Sequence, residues 1–264
     1  MSSFKFYTIC LLCFVFVGKT KAQYYAAGSF SLQFVNMPSL DKIIDEFNAR
    51  ENHNIKDFST WKGYHFTIGN ISEFALIELG YAASMSNNKS QVPNQLRASA
   101  EVRSKFAGAT VHLGYRVLRN KYLFAGIGIN YGQNSVRYSF GGNYFTPVKN
   151  YTFAPEIFID YNLKIRFLLK KNQRKQRFYM LRLRPFYQFH TAVDMGAMQR
   201  DFNNAPNVNP TDPAYRDKWS NFGFRIGLVI PFAGESRFEK EVNPTQSGEK
   251  LSPKEIRERI KMKQ

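Results

Sequence analysis

Eight stretches of the chain alternate apolar and polar residues with a period of two, which is the spacing of a β-strand with one apolar face. In the fifth stretch, for example, Ile127 and Ile129 flank Gly128. Because successive side chains of a strand point to opposite faces, each stretch predicts a strand that is apolar on one side only. The predicted strands are Ala27–Phe34, Lys62–Ile68, Ser72–Ala83, Leu96–Arg116, Tyr122–Ser139, Asn150–Leu169, Arg177–Ala192 and Trp219–Phe232.

The composition of the two faces indicates the class of fold. The polar faces carry Gly, Asn, Thr, His and charged residues, whereas the apolar faces carry aromatic residues near the strand ends; the chain has 25 Phe and 15 Tyr. A soluble sandwich packs an aliphatic core between its sheets. Apolar residues outside, polar residues inside and aromatic girdles are typical of a membrane barrel. A soluble β-sandwich or lipocalin-like barrel is the alternative.

The lengths of the connections favour the same fold independently. If the chain starts in the periplasm, the inner turns are short and the outer loops are long, as in outer-membrane barrels. We therefore predict an all-β fold over residues 23–232, an eight-stranded antiparallel up-and-down transmembrane β-barrel. The predicted inner turns are Gly69–Ile71, Leu118–Lys121 and Lys170–Gln176. The predicted outer loops are Val35–Trp61, Ser84–Gln95, Phe140–Lys149 and Val193–Lys218.

The N-terminus has the pattern of a secretory signal peptide. Lys5 precedes the apolar run Phe6–Val17, and a small-residue cleavage site ends at Ala22. The run is shorter than the roughly 20 residues that a membrane-spanning helix needs, so a retained anchor is the weaker alternative. Cys10 and Cys13 both lie in this segment, and the mature chain is therefore predicted to have no thiol or disulfide chemistry. Export to a Gram-negative outer membrane follows from this interpretation.

The charge balance indicates anionic partners. Without the signal segment, the chain has 34 basic and 20 acidic residues, a net charge of about +14. Such a surplus suits nucleic acid, anionic lipid or simple solubility. Export makes nucleic acid the weakest of these, so we expect outer-membrane lipid and lipopolysaccharide as partners and no nucleic acid.

The closing strand carries a resemblance to a known superfamily. With the signal peptide and eight strands, it resembles the small outer-membrane barrels of the OmpA/OmpX kind, and the Tyr-, Phe-, Asn- and Lys-rich style is similar to the PorT-like barrels of Bacteroidota. The resemblance covers Tyr24–Phe232 and implies no activity. It implies that the last strand is read by the barrel-assembly machinery, although a tail follows Phe232. The residues of this implied signal are Phe222, Phe224, Ile226, Leu228, Ile230 and Phe232.

Charged residues on the inward faces are the first candidate site. The interior of an eight-stranded barrel is just wide enough for side chains to fill it, and buried charges must pair. We therefore predict a salt-bridged plug; because basic groups outnumber acidic ones, a narrow anion path or ligand pocket is the alternative. Most of the basic groups fall toward the periplasmic half, so we expect a partner first on the periplasmic side. The predicted lumen network is Glu78, Arg116, Glu156, Asp160, Lys164, Arg166, Arg182, Arg184 and Arg225.

An envelope lipid-modifying enzyme is the third interpretation, because such enzymes place a His, a Ser and a carboxylate near one rim. The histidines are His53, His65, His112 and His190, and Asp194 follows the last of them. None has a His-x-Ser spacing or a metal-ligand pair beside it. We therefore predict no catalytic residue, no metal and no cofactor, and a structural, adhesive or complex-forming role.

The outer loops differ in character. In the first, Ile43, Ile44 and Phe47 have helical spacing, and Ser39 is a candidate N-cap. We predict a short helix over the barrel mouth, either a lid or a contact surface. The fourth, Asp194–Asp217, is predicted to be a solvated loop; calcium is conceivable there, but nothing approaches an EF-hand spacing.

Residues 233–264 form a tail of different composition. Asn243–Gly248 indicates a linker, and Ser252-Pro253-Lys254-Glu255 forms a capping box. We predict a short basic helix to about Met262, which folds on a periplasmic protein, the inner leaflet or the cell wall. A disordered basic tail is the alternative, because an isolated helix of this length is marginal in water.

Overall fold

The computed structural model describes residues 23–72, 74–91, 99–118, 122–165, 179–217 and 219–233. The predicted signal peptide and the predicted C-terminal helix lie outside these residues. Eight long strands account for most of the described chain. They are β1 (Gln23–Asn36), β2 (Thr60–Ile71), β3 (Ala75–Gln91), β4 (Ser99–Leu118), β5 (Leu123–Phe140), β6 (Val148–Ile165), β7 (Tyr179–Phe189) and β8 (Ser220–Ala233).

The strands form a closed antiparallel barrel. Each strand pairs with the next one in the chain, and β8 pairs with β1, where Phe30 lies opposite Ile226. Every long strand therefore has two neighbours and the sheet has no open edge, which removes the template for edge-to-edge association. The predicted eight-stranded up-and-down barrel is confirmed.

The barrel is polar inside and apolar outside. In β1, Ser29 is 5% exposed and faces the lumen, whereas its neighbour Phe30 is 46% exposed and faces outward. In β5, Asn130 is fully buried and Ile127 is 63% exposed. A soluble barrel or sandwich would bury these large apolar side chains, so the soluble alternative is wrong, and the distribution is that of a barrel that crosses a bilayer. No helix among the described residues is long and apolar enough to span a membrane.

Several strand boundaries differ from the prediction. β2 continues to Ile71, which pairs with Gln23, so the predicted turn Gly69–Ile71 is strand and the connection to β3 begins at Ser72. β3 continues to Gln91 instead of ending at Ala83. The predicted turn Lys170–Gln176 and all but the first residue of Leu118–Lys121 lie outside the described residues.

The wall of the barrel is higher on one side. Strands β3 to β6 have 17 to 20 residues, whereas β7 has 11 and β1 and β8 have 14. At about 3.3 Å per residue, the longer strands exceed the 9 to 11 residues or so that cross a bilayer. The additional residues of these strands lie at the end of the barrel that carries the long loops. We call this end the outer end.

Two helices close the outer end. Helix α1 (Pro38–Glu51) buries Leu40, Ile43 and Phe47 completely against inward-facing side chains of the wall. Helix α2 (Gly196–Phe202) packs beside it, and the ring of Phe202 stacks on that of Phe47 at 3.8 Å between centroids. The predicted helix over the barrel mouth is confirmed, and we call the two helices with their apolar contacts the outer cap.

Two predictions about the outer loops are wrong. The side chain of Ser39 makes no capping hydrogen bond; its backbone amide and that of Leu40 donate instead to the carboxylate of Asp217, at 2.7 and 3.0 Å. The fourth loop is not simply solvated, because it contains α2, and Met198 and Phe202 are buried in the cap. The loop folds over the barrel mouth because burial of these apolar side chains removes them from water.

Candidate functional site

The lumen is filled by three layers of side chains. The outer cap forms an apolar layer, and charged residues form the middle layer. Toward the inner end, aromatic and aliphatic side chains close the barrel again. This inner layer consists of Tyr25, Ala27, Ile71, Leu76, Tyr122, Phe124, Phe158, Met180, Phe186 and Val229.

Two arginines of β7 and two acids share one half of the charged layer. Arg184 lies 2.6 Å from both Glu78 of β3 and Asp160 of β6. Arg182 lies 2.6 Å from Glu78 and 3.2 Å from Asp160. The hydroxyl of Tyr25 donates to Glu78 as well. Each acid is therefore shared by both arginines, which offsets the cost of burying four charges.

The other half of the layer is a single ion pair with polar support. Arg225 of β8 holds both carboxylate oxygens of Glu156, at 2.6 and 2.8 Å. The amides of Gln188 and Asn130 donate to the same carboxylate at 2.7 and 2.9 Å. Bidentate arginine contacts and additional donors are what a buried carboxylate needs to remain ionised.

His112 joins the two halves. Its Nε2 lies 3.3 Å from Glu156 and its Nδ1 lies 3.8 Å from Glu78. The imidazole packs against Gly128, where an added Cβ would come within 2.4 Å of the ring. Only a residue without a Cβ permits this close approach, so Gly128 positions His112 between the two acids.

The arginines also contact aromatic rings. The guanidinium carbon of Arg225 lies 4.1 Å from the ring centre of Phe186, and that of Arg184 lies 4.5 Å from Phe158. A cation over a ring face is favourable, particularly where water is excluded. The inner layer therefore contributes electrostatically to the charged layer above it.

The structure brings six of the nine predicted lumen residues together in this layer, at 0 or 1% exposure. The other described members lie at the inner end, where Arg116 stacks on Tyr122 and Phe124, and Lys164 also lies over Tyr122. Arg166 lies outside the described residues. The buried layer itself contains three acids and three arginines, so the predicted basic surplus is absent from it. Its members are Glu78, Glu156, Asp160, Arg182, Arg184 and Arg225.

This burial bears on where a partner can bind. Arg182 and Arg184, predicted to face the lumen toward its periplasmic half, are both fully buried and paired with acids. They are therefore not available to a periplasmic partner.

The histidines occupy separate positions. His65 bonds Thr110 at 3.0 Å, His190 bonds Asn221 at 3.1 Å, and His53 lies 3.4 Å from the Ser90 hydroxyl. Asp194 pairs with Arg216 at 3.2 Å rather than with His190. Among the described residues, no group of three His, Cys, Asp or Glu side chains could hold a metal ion.

The residues implied as an assembly signal share one face of β8. All six point outward and are between 37 and 53% exposed, and each of Phe222 and Phe224 packs on another aromatic ring. They form part of the lipid-facing band. Recognition by the assembly machinery stays a prediction.

Several hydrogen-bond partners of the charged layer were missed from the sequence, among them Tyr25, Asn130 and Gln188. Tyr25 preceded the predicted start of the first strand, and the amides of Asn130 and Gln188 were assigned only to polar faces. The alternation of their strands was enough to predict that these three side chains face the lumen. Which inward residues meet depends on the stagger of all eight strands, and no local pattern encodes it.

Comparison with known proteins gives similar solved structures of low identity. Ail, the attachment invasion locus protein of Yersinia pestis, in complex with the heparin analogue sucrose octasulfate, has 6% identity and a TM-score of 0.42 over 81% of this chain and 100% of its own. Neisserial surface protein A has 12% identity and a TM-score of 0.37, over 80% and 99%. OprG of Pseudomonas aeruginosa has 12% identity and a TM-score of 0.34, over 81% and 98%.

No protein-family model and no curated protein sequence matches the chain. The fold is established by the chain's own strand pairing, in which eight strands close without an edge. At the level of fold, that pairing confirms the predicted resemblance to small eight-stranded barrels.

Proposed function

We propose that the chain is a non-enzymatic outer-membrane barrel with a closed lumen, which acts through its surfaces as a structural, adhesive or complex-forming component of the envelope. One observation carries the proposal: the six charged side chains of the middle layer are at most 1% exposed. Charges that line a water-filled path would be hydrated, whereas these are paired with one another.

Ion pairing argues against the alternative of an anion path. An anion that entered the layer would have to displace Glu156 from Arg225, or Glu78 and Asp160 from the β7 arginines. Breaking a buried pair is strongly unfavourable. The apolar layers on both sides add a second barrier, because a desolvated ion has no partner there.

The outer cap supports a role in recognition. The buried face of α1 fixes the helix on the barrel, while Lys42, Asp45 and Arg50 remain exposed on its other side. Arg50 also donates to the carbonyl of Phe202, which ties α1 to α2. A preorganised surface loses little conformational entropy when it binds a partner. This favours a partner on the outer side.

Conductance and cross-linking together test the proposal. The refolded protein in planar bilayers is expected to give no steady current, and a steady anion-selective current would establish the pore alternative. A membrane-impermeant cross-linker on intact cells is expected to capture a stoichiometric partner. An altered lipid A mass spectrum on expression would replace the proposal with the enzyme alternative.

The predicted contacts of residues 233–264 with a periplasmic protein or the cell wall are a separate proposal. A truncation after Ala233 tests it, because the barrel would remain intact while a periplasmic cross-link would be lost.

A further inference from the structure

Four basic side chains line a groove on the outward face of the high wall. The groove has a volume of about 270 Å³ and lies on β3 to β6 at their outer end. Arg103 of β4 lies directly opposite Arg137 of β5, and Lys105 and Lys149 both pair with Ser135. Like charges placed opposite each other destabilise a sheet, so this arrangement has an electrostatic cost.

Acidic neighbours compensate only part of this charge. Glu101 lies 2.8 Å from Arg103 and 3.4 Å from Lys89. Within the described ranges, no carboxylate lies within ion-pair distance of Lys105, Arg137 or Lys149. The groove therefore presents three uncompensated cations to whatever surrounds the barrel at this height.

The height of the groove is set by the aromatic band below it. Tyr131 and Phe153 are outward-facing partners, and Tyr131 stacks on Tyr151. Ser135 lies four residues beyond Tyr131, which is about 13 Å along the strand and about 10 Å along the barrel axis for a strand tilted by about 40°. Aromatic girdles mark the boundary between hydrocarbon and headgroups. The cations therefore lie at the level of the headgroups of the outer leaflet.

The groove continues toward β2, where the exposed Lys62 lies opposite Met85. The outward-facing residues of β7, β8 and β1 include no charged side chain along the described length of these strands. Four basic side chains lie close together in one groove in spite of their mutual repulsion, which indicates an anionic ligand.

We propose that this groove binds the phosphate groups of lipopolysaccharide in the outer leaflet. Arginine and lysine side chains are suited to phosphate, and the guanidinium of Arg137 can hold two of its oxygens. Met85 and Ala107 border the groove and offer apolar contact to the attached sugar and acyl chains. The inference depends on the proposed outer-membrane location but not on the closed lumen, so it can fail while the function proposed above holds.

The test measures binding of defined lipids to the purified protein in detergent. Diphosphoryl lipid A is titrated against the wild type and against the double variant Arg137→Gln/Lys149→Gln, with phosphate-free lipid A as the second ligand. The control is Lys42→Gln/Lys56→Gln, which removes the same charge from the outer loop region. A charge-conserving variant, Arg137→Lys/Lys149→Arg, separates charge from folding, and the heat-modifiable gel shift verifies each fold.

The groove variant is expected to weaken diphosphoryl lipid A binding about 30-fold, the effect of two basic groups near an anionic surface. The affinities of the control and of the charge-conserving variant for diphosphoryl lipid A are expected to remain within about threefold of the wild-type affinity. Equal affinity of the groove variant and the control would overturn the proposal. An equal loss of affinity for phosphate-free lipid A would overturn it as well.

Discussion

The guanidinium of Arg225 holds both carboxylate oxygens of Glu156, and both groups are excluded from solvent. Glu156→Gln would leave Arg225 as a buried charge without its counterion. We expect a loss of about 3–5 kcal/mol in the free energy of unfolding. Urea unfolding in lipid vesicles, followed by the fluorescence of Trp61 and Trp219, measures it.

The control for this variant is Glu101→Gln, at a residue of β4 that faces away from the lumen. Its ion pairs are partly exposed, so the expected change is within about 1 kcal/mol. Equal effects of the two substitutions would show that the charged layer does not hold the barrel together.

A second prediction concerns the cap of helix α1. Asp217→Ala would remove the acceptor of the Ser39 and Leu40 amides, at a cost of about 1–2 kcal/mol. Hydrogen exchange at these two amides should become faster. Asp212→Ala, which removes a similar bond to Ala214 at the surface, is the control and should leave α1 protected. Unchanged protection in the Asp217 variant would contradict the assignment of this cap.

A third prediction follows from Asp41, at the start of α1. Burial raises the pKa of Asp41 from 3.8 to about 6, although the hydrogen bond from the Phe58 amide opposes the shift. Because the folded state holds this proton more tightly than the unfolded state, the contribution of Asp41 to stability is greatest below pH 4 and is lost as the pH rises through 6.

Asp41→Asn keeps the oxygen that accepts from Phe58 and removes the titration. We expect the stability of the wild type to fall between pH 4 and 7 relative to that of the variant, as measured by urea midpoints at each pH. Parallel curves for the two proteins would exclude a raised pKa.

A fourth prediction tests the packing of His112. Gly128→Ala would force the imidazole away from Glu156, with an expected destabilisation of about 1–3 kcal/mol. Gly28→Ala is the control, because the nearest atoms to its added Cβ are 3.5 Å away on the ring of Phe66. Thermal unfolding should separate the two variants; a neutral Gly128 variant would show that the ring can move at little cost.

The sequence was sufficient to predict the central parts of the strands but not where the strands end toward the outer side. Alternation identified the core of β3 because lipid outside and polar residues inside impose a period of two. Beyond Ala83, consecutive residues such as Ser86 and Asn87 place polar side chains on both faces of the strand, so the alternation disappears although the strand continues. Hydrogen bonding to β4, a long-range property, maintains it there.

The outer cap was predictable only in part. The spacing of Ile43 and Phe47 predicted α1, whereas its cap comes from Asp217, 178 residues away from Ser39. Helix α2 has seven residues in a loop rich in Asn and Pro, and the interval between Met198 and Phe202 was its only signal. In the lumen, strand parity predicted which charges face inward, but their pairing depends on the geometry of the whole barrel.

The position of Arg225 on the last strand has a consequence for biogenesis. Glu156 is synthesised two strands earlier, and its counterion enters the sheet only when β8 joins β1 and β7. An open sheet in the bilayer would carry an unneutralised anion toward its interior. Closure of the ring and electrical neutrality of its interior are therefore reached in one step, so an incomplete barrel is distinguished from a finished one by its own electrostatics.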